Sequence, residues 1–251
     1  AEQLQSSSPR SFQQKMYAIN DLMKPLFEGE VAVCLANIEQ LISEIDKSEH
    51  KFSGFYLHNG ATYLGWQEVL DLHADVLKGI KQLKKHLNFN GNVLFGDTPS
   101  CSMANNFKGI SHLTAGNFVF YDLMQNHLGS CLESQIAVCM ACPISEKRNE
   151  NKQFVIHGGA VHFSKDTMIG NTGATIYGKM VVLKEDGWSD SIKGCELISL
   201  SQEHGKLQVT DAVFNQYNVG DVVGILPVHS CLTSACMQQF VSFDGVEINM
   251  M

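Results

Sequence analysis

No run of about 18 apolar residues occurs anywhere in this 251-residue chain, so it offers no candidate membrane span. Basic charge is also short. Only 18 Lys and Arg stand against 26 Asp and Glu, for a net charge of −8. Nucleic acid is thereby excluded as a main partner, since phosphate backbones need a basic surface. The opening residues, Ala1 to Arg10, are polar and Ser-rich. They lack the apolar core of a signal peptide and read as a poorly packed segment. The eight cysteines lack the dense spacing of a small disulfide scaffold. Most sit in apolar settings, as in Cys139-Met140-Ala141-Cys142, and are expected to be buried, reduced thiols in a cytoplasmic protein. What is present is apolar residue in quantity, 44% of the chain against 18% charged. That suffices to bury a core, in one large domain or two smaller ones.

Two kinds of pattern divide the chain near residue 130. Before it, strand and helix alternate. Apolar spacing predicts helices over Ser11–Phe27, Val31–Asp46 and Gln67–Leu87, the last with Val69, Leu70, Leu72, Val76, Leu77, Ile80 and Leu83 inward. Short strands are expected at Phe52–Leu57, at Asn92–Phe95 and within His112–Phe120. Polar residues follow the strand ends, which is the habit of a parallel (β/α) barrel of the TIM type. After it, short strands alternate with Gly-rich turns at Gln135–Met140, Phe154–Ile156, Met180–Leu183, Leu197–Leu200, Val222–Leu226 and Val246–Ile248. This predicts a compact all-β unit. The fold class is therefore α/β plus all-β, with domains 1–130 and 131–251.

Several segments carry candidate chemistry. Gly96-Asp97-Thr98 follows a strand, where a glycine and a hydroxyl can hold phosphate. Gly116-Asn117 offers close backbone approach ahead of the next strand. His58 and Tyr63 follow another strand end and could contact a cofactor ring. His157 and His162 flank two glycines, a tight turn or a pair of metal ligands. Ser201-Gln202-Glu203-His204-Gly205 is a hairpin turn or a segment reaching a site. Cys139-x-x-Cys142 has redox spacing but lies in a strand-like context. His229-Ser230-Cys231 follows the apolar run Val222–Leu226 and Pro227. In an extended chain residues i and i+2 face one way, so His229 and Cys231 can aim at one point, and an imidazole with a thiolate suits zinc.

Taken in order, His58-Asn59-Gly60-Ala61-Thr62-Tyr63, Phe95-Gly96-Asp97-Thr98-Pro99-Ser100, Ala115 to Asp122, Ser164-Lys165-Asp166, Gln202-Glu203-His204-Gly205 and Pro227 to Thr233 form a series. It resembles the D-serine dehydratase and D-threonine aldolase family over residues 50–250. These are fold-type III enzymes that use pyridoxal 5'-phosphate (PLP). The resemblance implies the C-terminal part of an alanine-racemase-like (β/α) barrel followed by a D-serine dehydratase-like β-domain. It puts the phosphate cup on Gly96, Asp97, Thr98, Gly116 and Asn117, and the ring lining on His58 and Tyr63. Ala61 stands where the family often has a second histidine, and Ala115 and Phe118 replace a proline and a tyrosine. It makes His229 and Cys231 the metal ligands. A cysteine there implies zinc and the dehydratase branch, whereas an aspartate would imply the aldolase branch and a harder metal.

The activity so implied is elimination of water from a small β-hydroxy D-amino acid, giving a 2-oxo acid and ammonia, in a homodimer. The family's Schiff-base lysine lies in an Arg-Pro-His-x-Lys type of segment, and residues 1–251 contain none. The expectation is therefore a fragment of a longer enzyme, one subunit of a split one, or a relative that binds zinc and phosphate without the chemistry.

Overall fold

Alternating apolar residues build the first sheet. A computed structural model gives the fold over residues 38–40, 42–43, 54–63 and 68–249. Strand β1 (Gly54–Leu57) buries Phe55 and Leu57, and β2 (Asn92–Phe95) buries Val93 and Phe95. Between them runs α1 (Val69–His86). The two strands pair in parallel, and β2 pairs in parallel with β3 (His112–Leu113). A parallel pair joined by a helix is the βαβ unit. Helix α1 lays Val69, Val76, Ile80 and Leu83 inward, as its periodicity predicts. Leu70 differs from expectation and is half exposed. Its place on the inner face goes to His73, whose Nε2 lies 2.7 Å from the Asn106 carbonyl, between the rings of Phe95 and Phe107. Residues 38–40 and 42–43 are helical, and Ile38 joins this core. The expected Ser11–Phe27 helix and the rest of Val31–Asp46 lie outside the described residues, as does Ala1 to Arg10.

Strand register sets which residues meet at the sheet's end. Leu57 pairs with Phe95, and Phe95 with Leu113. His58, Gly96 and Thr114 therefore leave the sheet at one level, at the carboxyl ends of three parallel strands. Helix α2 (Thr98–Met103) starts there.

The chain divides into two compact units between Gly116 and Asn117, upstream of the division near 130 read from composition. The second unit begins with α3 (Leu123–His127) and a 3-10 turn at Glu133–Gln135. Its remaining elements are β4 (Met140–Arg148), β5 (Gln153–His157), α4 (Ala160–Phe163), β6 (Met168–Ile169), β7 (Thr175–Ile176), β8 (Gly178–Val181), β9 (Leu183–Lys184), β10 (Gly187–Trp188), β11 (Glu196–Leu200), β12 (His204–Gln208), α5 (Asp211–Gln216), β13 (Val222–Pro227), α6 (Ser230–Met237), β14 (Gln239–Val241) and β15 (Glu247–Asn249). Six of these strands close into an antiparallel barrel in the order β11-β12-β5-β4-β13-β8. Closure removes the free edges an open sheet would carry. Ile144, Phe154, Ile156, Met180, Leu197, Leu207, Val223 and Ile225 fill it.

Two strand expectations fail. Residues 136–139 are irregular and β4 starts only at Met140. Phe118-Val119-Phe120 is a turn rather than a strand. Its rings pack on neighbours instead of alternating across a sheet, Phe118 against Tyr121 at 5.6 Å and Phe120 against Phe240 at 5.5 Å.

Lys147 closes one end of the barrel. Its Nζ donates to the carbonyls of Phe214 (2.6 Å) and Tyr217 (2.5 Å), the open carbonyls at the end of α5, and it sits 4.5 Å above the Phe214 ring. A cation there complements the helix C-terminus. Lys147→Met should cost about 1–2 kcal/mol in urea unfolding, because it leaves both carbonyls without a charged donor.

Candidate functional site

Three strand ends bring the predicted ring-lining and phosphate residues of the first unit together. The rings of His58 and Tyr63 stack at 5.9 Å. The Thr98 N–H donates to the Tyr63 hydroxyl at 3.4 Å. Gly96 is a glycine for a steric reason, since a Cβ would lie 2.4 Å from the Tyr56 hydroxyl and 2.9 Å from Thr114 Oγ1. Hydroxyls thus converge on the end of β2. Gly116 is exposed, with nothing within 4 Å of where a Cβ would stand.

Asp97 behaves differently from its neighbours. Its carboxylate turns into the protein and is fully buried. Oδ1 accepts from the Ser100 N–H at 2.9 Å and from Thr62 Oγ1 at 3.1 Å, which makes it the N-cap of α2. A carboxylate so placed organises the strand end; its charge would repel a phosphate. The Oδ2 atom of Asp97 and the Oγ of Ser100 are buried with no hydrogen-bond partner. Orphaned polar atoms at a hydroxyl-lined strand end fit a polar ligand, and Gly116 leaves room for backbone approach.

In the second unit, Asp122 is the organising residue, 1% exposed. Its Oδ1 accepts from the Gln125 N–H at 2.8 Å and caps α3. Its Oδ2 accepts from Asn117 Nδ2 at 2.5 Å and from the Ser230 N–H at 3.1 Å. One carboxylate therefore satisfies N-terminal donors of two helices, α3 and α6. Ser230 Oγ donates to the Tyr121 carbonyl at 2.6 Å, and the Met124 N–H to the Val228 carbonyl at 3.2 Å. These bonds stitch the Tyr121-Asp122 turn to the head of α6. Burial pushes the Asp122 carboxyl above the usual carboxylate range, while the N–H donors and nearby His229 pull it down. The Asn117 amide is committed to Asp122, so its side chain serves this network.

The predicted metal-ligand segment lies at that helix head. Both ligands were expected on one extended strand. Instead β13 ends at Pro227, His229 is extended (φ −133°, ψ 100°), and Ser230 already begins α6. Cys231 sits in the helix's first turn. The Ser230 N–H bond to Asp122 and the Thr233 N–H bond to the His229 carbonyl start the helix where sequence spacing suggested a continued strand. His229 Nδ1 lies 2.6 Å from Asp166 Oδ2, with both side chains about one-third exposed. That contact takes one ring nitrogen and leaves Nε2 for a metal. Burial, with the Asp122 carboxylate nearby, pushes the Cys231 thiol up to about 11. A metal binding there at neutral pH must displace that proton.

Among the described residues no group of three or more His, Cys, Asp and Glu is gathered to hold a metal. His229 Nε2 and Cys231 Sγ are the two candidate ligands, and a metal held by them would take its other positions from water or substrate.

The remaining candidates resolve into structure. Cys139 and Cys142 flank the start of β4; burial pushes both thiols up, Cys139 to about 12, away from the reactive thiolate form. Ser201 to Glu203 is the hairpin turn between β11 and β12. His157 faces His204 across the β5–β12 pairing and lies 4.9 Å from the His162 ring. His162 Nδ1 accepts the Gly159 N–H at 3.0 Å, which commits it to starting α4. Asp122 and Asp166 had no assigned role in the sequence reading. For Asp122 a signal existed, an aspartate three residues before a glutamine at a helix start. For Asp166 none did, because its partner lies 63 residues away.

Residues 137–243 match the family described as "Putative serine dehydratase domain". The D-serine dehydratase of Dictyostelium discoideum is 27% identical over 220 residues, 81% of this chain and 53% of the relative. The chain is similar to the D-serine dehydratases. D-threo-3-hydroxyaspartate dehydratase of Delftia sp. (strain HT23) is 25% identical over 208 residues, 78% of this chain and 53% of that enzyme. The chain thus spans about half the length of the curated relatives it matches. In fold, it matches an alanine racemase-like protein from Idiomarina loihiensis with a TM-score of 0.71 at 23% identity, over 84% of this chain and 58% of that one. It matches the Delftia dehydratase with a TM-score of 0.69 at 20% identity, over 88% and 59%. The architecture is therefore alanine-racemase-like. Two further matching structures, of D-threo-3-hydroxyaspartate dehydratase, carry alanine at a cysteine, in a metal-free form, and at a histidine two positions before it. Among the described residues no helix is long and apolar enough to cross a membrane.

Proposed function

We propose that this chain is the metal-bearing part of a PLP- and zinc-dependent lyase of the D-serine dehydratase type, which removes water from a small β-hydroxy D-amino acid to leave a 2-oxo acid and ammonia. The observation that carries the reading is the head of α6. There His229 offers Nε2, with Nδ1 held by Asp166, and Cys231 offers sulfur in the next turn of chain. The histidine and cysteine varied in the D-threo-3-hydroxyaspartate dehydratase structures have the same spacing. A thiolate favours zinc over hard cations, which supports the dehydratase branch over the aldolase branch.

When bound, PLP supplies an electron sink for the pair released with the α-proton, and zinc a Lewis acid for the departing hydroxyl. The chain's residues do the rest by holding and orienting. His229 and Cys231 fix where a β-hydroxyl can be received. Asp122 keeps those two in place by anchoring Ser230 between them. In the first unit His58 and Tyr63 would line the ring, and Gly96, Thr98 and Gly116 would hold the phosphate. Asp97 serves by capping α2. A homodimer belongs to the same reading.

The test is turnover. The enzyme that joins this chain to the Schiff-base lysine segment, supplied with PLP and zinc, should release pyruvate and ammonia from D-serine and leave L-serine untouched. Chelation should stop the reaction and zinc restore it. Undiminished turnover after complete zinc removal, or cleavage of D-threonine to glycine and acetaldehyde in its place, would contradict the reading.

A further inference from the structure

We propose that Asp166 is a positioning residue for the metal, acting through His229; this rests on His229 being a ligand. The geometry is direct, with Asp166 Oδ2 2.6 Å from His229 Nδ1. A carboxylate at that nitrogen holds the proton on Nδ1, so the lone pair stays on Nε2. It also fixes the ring plane and makes the imidazole a stronger donor.

The chain around Asp166 is built for this reach. Helix α4 ends at Phe163, and Ser164 turns the chain at φ 68° and ψ −159°. A non-glycine residue rarely adopts that conformation, which persists only where its surroundings impose it. Ser164 Oγ is buried with no hydrogen-bond partner, so the serine's side chain does not account for the turn. The turn sends Lys165 and Asp166 back toward α6. The two helices are pinned together at that point, with Thr233 Oγ1 donating to the Phe163 carbonyl at 3.5 Å. The strained turn and the helix contact both serve to carry a carboxylate to the ring of His229. Asp122, the other nearby carboxylate, is occupied by N–H donors and grips the backbone between the ligands. The two aspartates thus divide the work, one holding the loop and the other the ring.

The experiment measures zinc affinity by competition with a chromophoric chelator, on the full chain and on Asp166→Asn, Asp166→Glu and His229→Ala. Asp166→Asn should weaken zinc about 10–100-fold, the usual cost of losing such a partner. Asp166→Glu should recover part of the loss, and His229→Ala should lose more than either. A second readout needs no metal. Nitrogen chemical shifts of the His229 ring should report the Nδ1–H tautomer in the wild-type chain and a mixture in Asp166→Asn. If His229→Ala loses zinc while Asp166→Asn keeps wild-type affinity and tautomer, the inference falls and the metal reading stands. If His229→Ala binds zinc as the wild type does, both fall. If the cobalt(II) spectrum of Asp166→Asn changes shape as that of His229→Ala does, Asp166 is itself a ligand and the positioning role is overturned.

Discussion

Cys231→Ala should strip zinc from the protein and, in the enzyme that joins this chain to the Schiff-base lysine segment, abolish turnover of D-serine, while Cys231→Asp should keep a metal but exchange its preference. Ligand chemistry sets both expectations. On the proposed reading the site has two protein ligands, and removal of the sulfur leaves a single imidazole, His229 Nε2, which does not hold a divalent cation alone. The loss should exceed the roughly 10–100-fold that an outer partner costs. Aspartate restores a ligand of similar reach but a hard one, so manganese should then compete with zinc. Isothermal titration with both metals on the three proteins checks this. Zinc affinity unchanged in Cys231→Ala would remove the thiolate from the site. Zinc preference unchanged in Cys231→Asp would mean that sulfur does not set the choice of metal.

Asp122→Ala should destabilise the second unit by about 2–4 kcal/mol, because it strands donors from three places at once and removes a helix cap. Asn117 Nδ2, the Gln125 N–H and the Ser230 N–H all bond to this one carboxylate. The figure lies below the simple sum of three lost bonds, since the substitution also removes a carboxyl that burial disfavours. Asp122→Asn should cost less, about 1–2 kcal/mol. Asparagine still caps α3 through its oxygen, but its amide then faces the Asn117 and Ser230 donors. Urea unfolding measures both. Equal stabilities for wild type and Asp122→Ala would show that the bridge does not hold the head of α6. Zinc affinity should fall in Asp122→Ala as well, because His229 and Cys231 flank the residue it anchors.

Much of the fold was legible where one strong pattern acted locally. The apolar alternation of Phe55 and Leu57, and of Val93 and Phe95, gave β1 and β2. The spacing of Val69, Val76, Ile80 and Leu83 gave α1. The run Val222 to Leu226 gave β13. Legibility failed where distant partners decide. Phe118 to Phe120 has strand composition, yet Phe120 packs on Phe240. His73 is polar, yet a carbonyl from Asn106 and two rings make it a core residue. Helix α6, Ser-Cys-Leu-Thr-Ser-Ala-Cys-Met, has neither charge nor a clear apolar stripe. Its start is fixed by Asp122, 108 residues away. The same holds for the site. His229 and Cys231 could be named from spacing and resemblance, but the geometry their spacing suggests, two positions on one strand face, is not the one adopted. Asp166 contacts His229 and Asp122 anchors Ser230, between the two candidate ligands, through bonds that sequence spacing does not encode.

The central claim is that His229 and Cys231 together hold zinc at the head of α6. X-ray absorption at the zinc edge of the loaded protein tests it most directly. The account predicts a shell with one sulfur at roughly 2.3 Å, one imidazole nitrogen at roughly 2.0–2.1 Å and oxygens in the remaining positions. A shell without sulfur, or with two or more sulfurs drawn from the other cysteines, would contradict it.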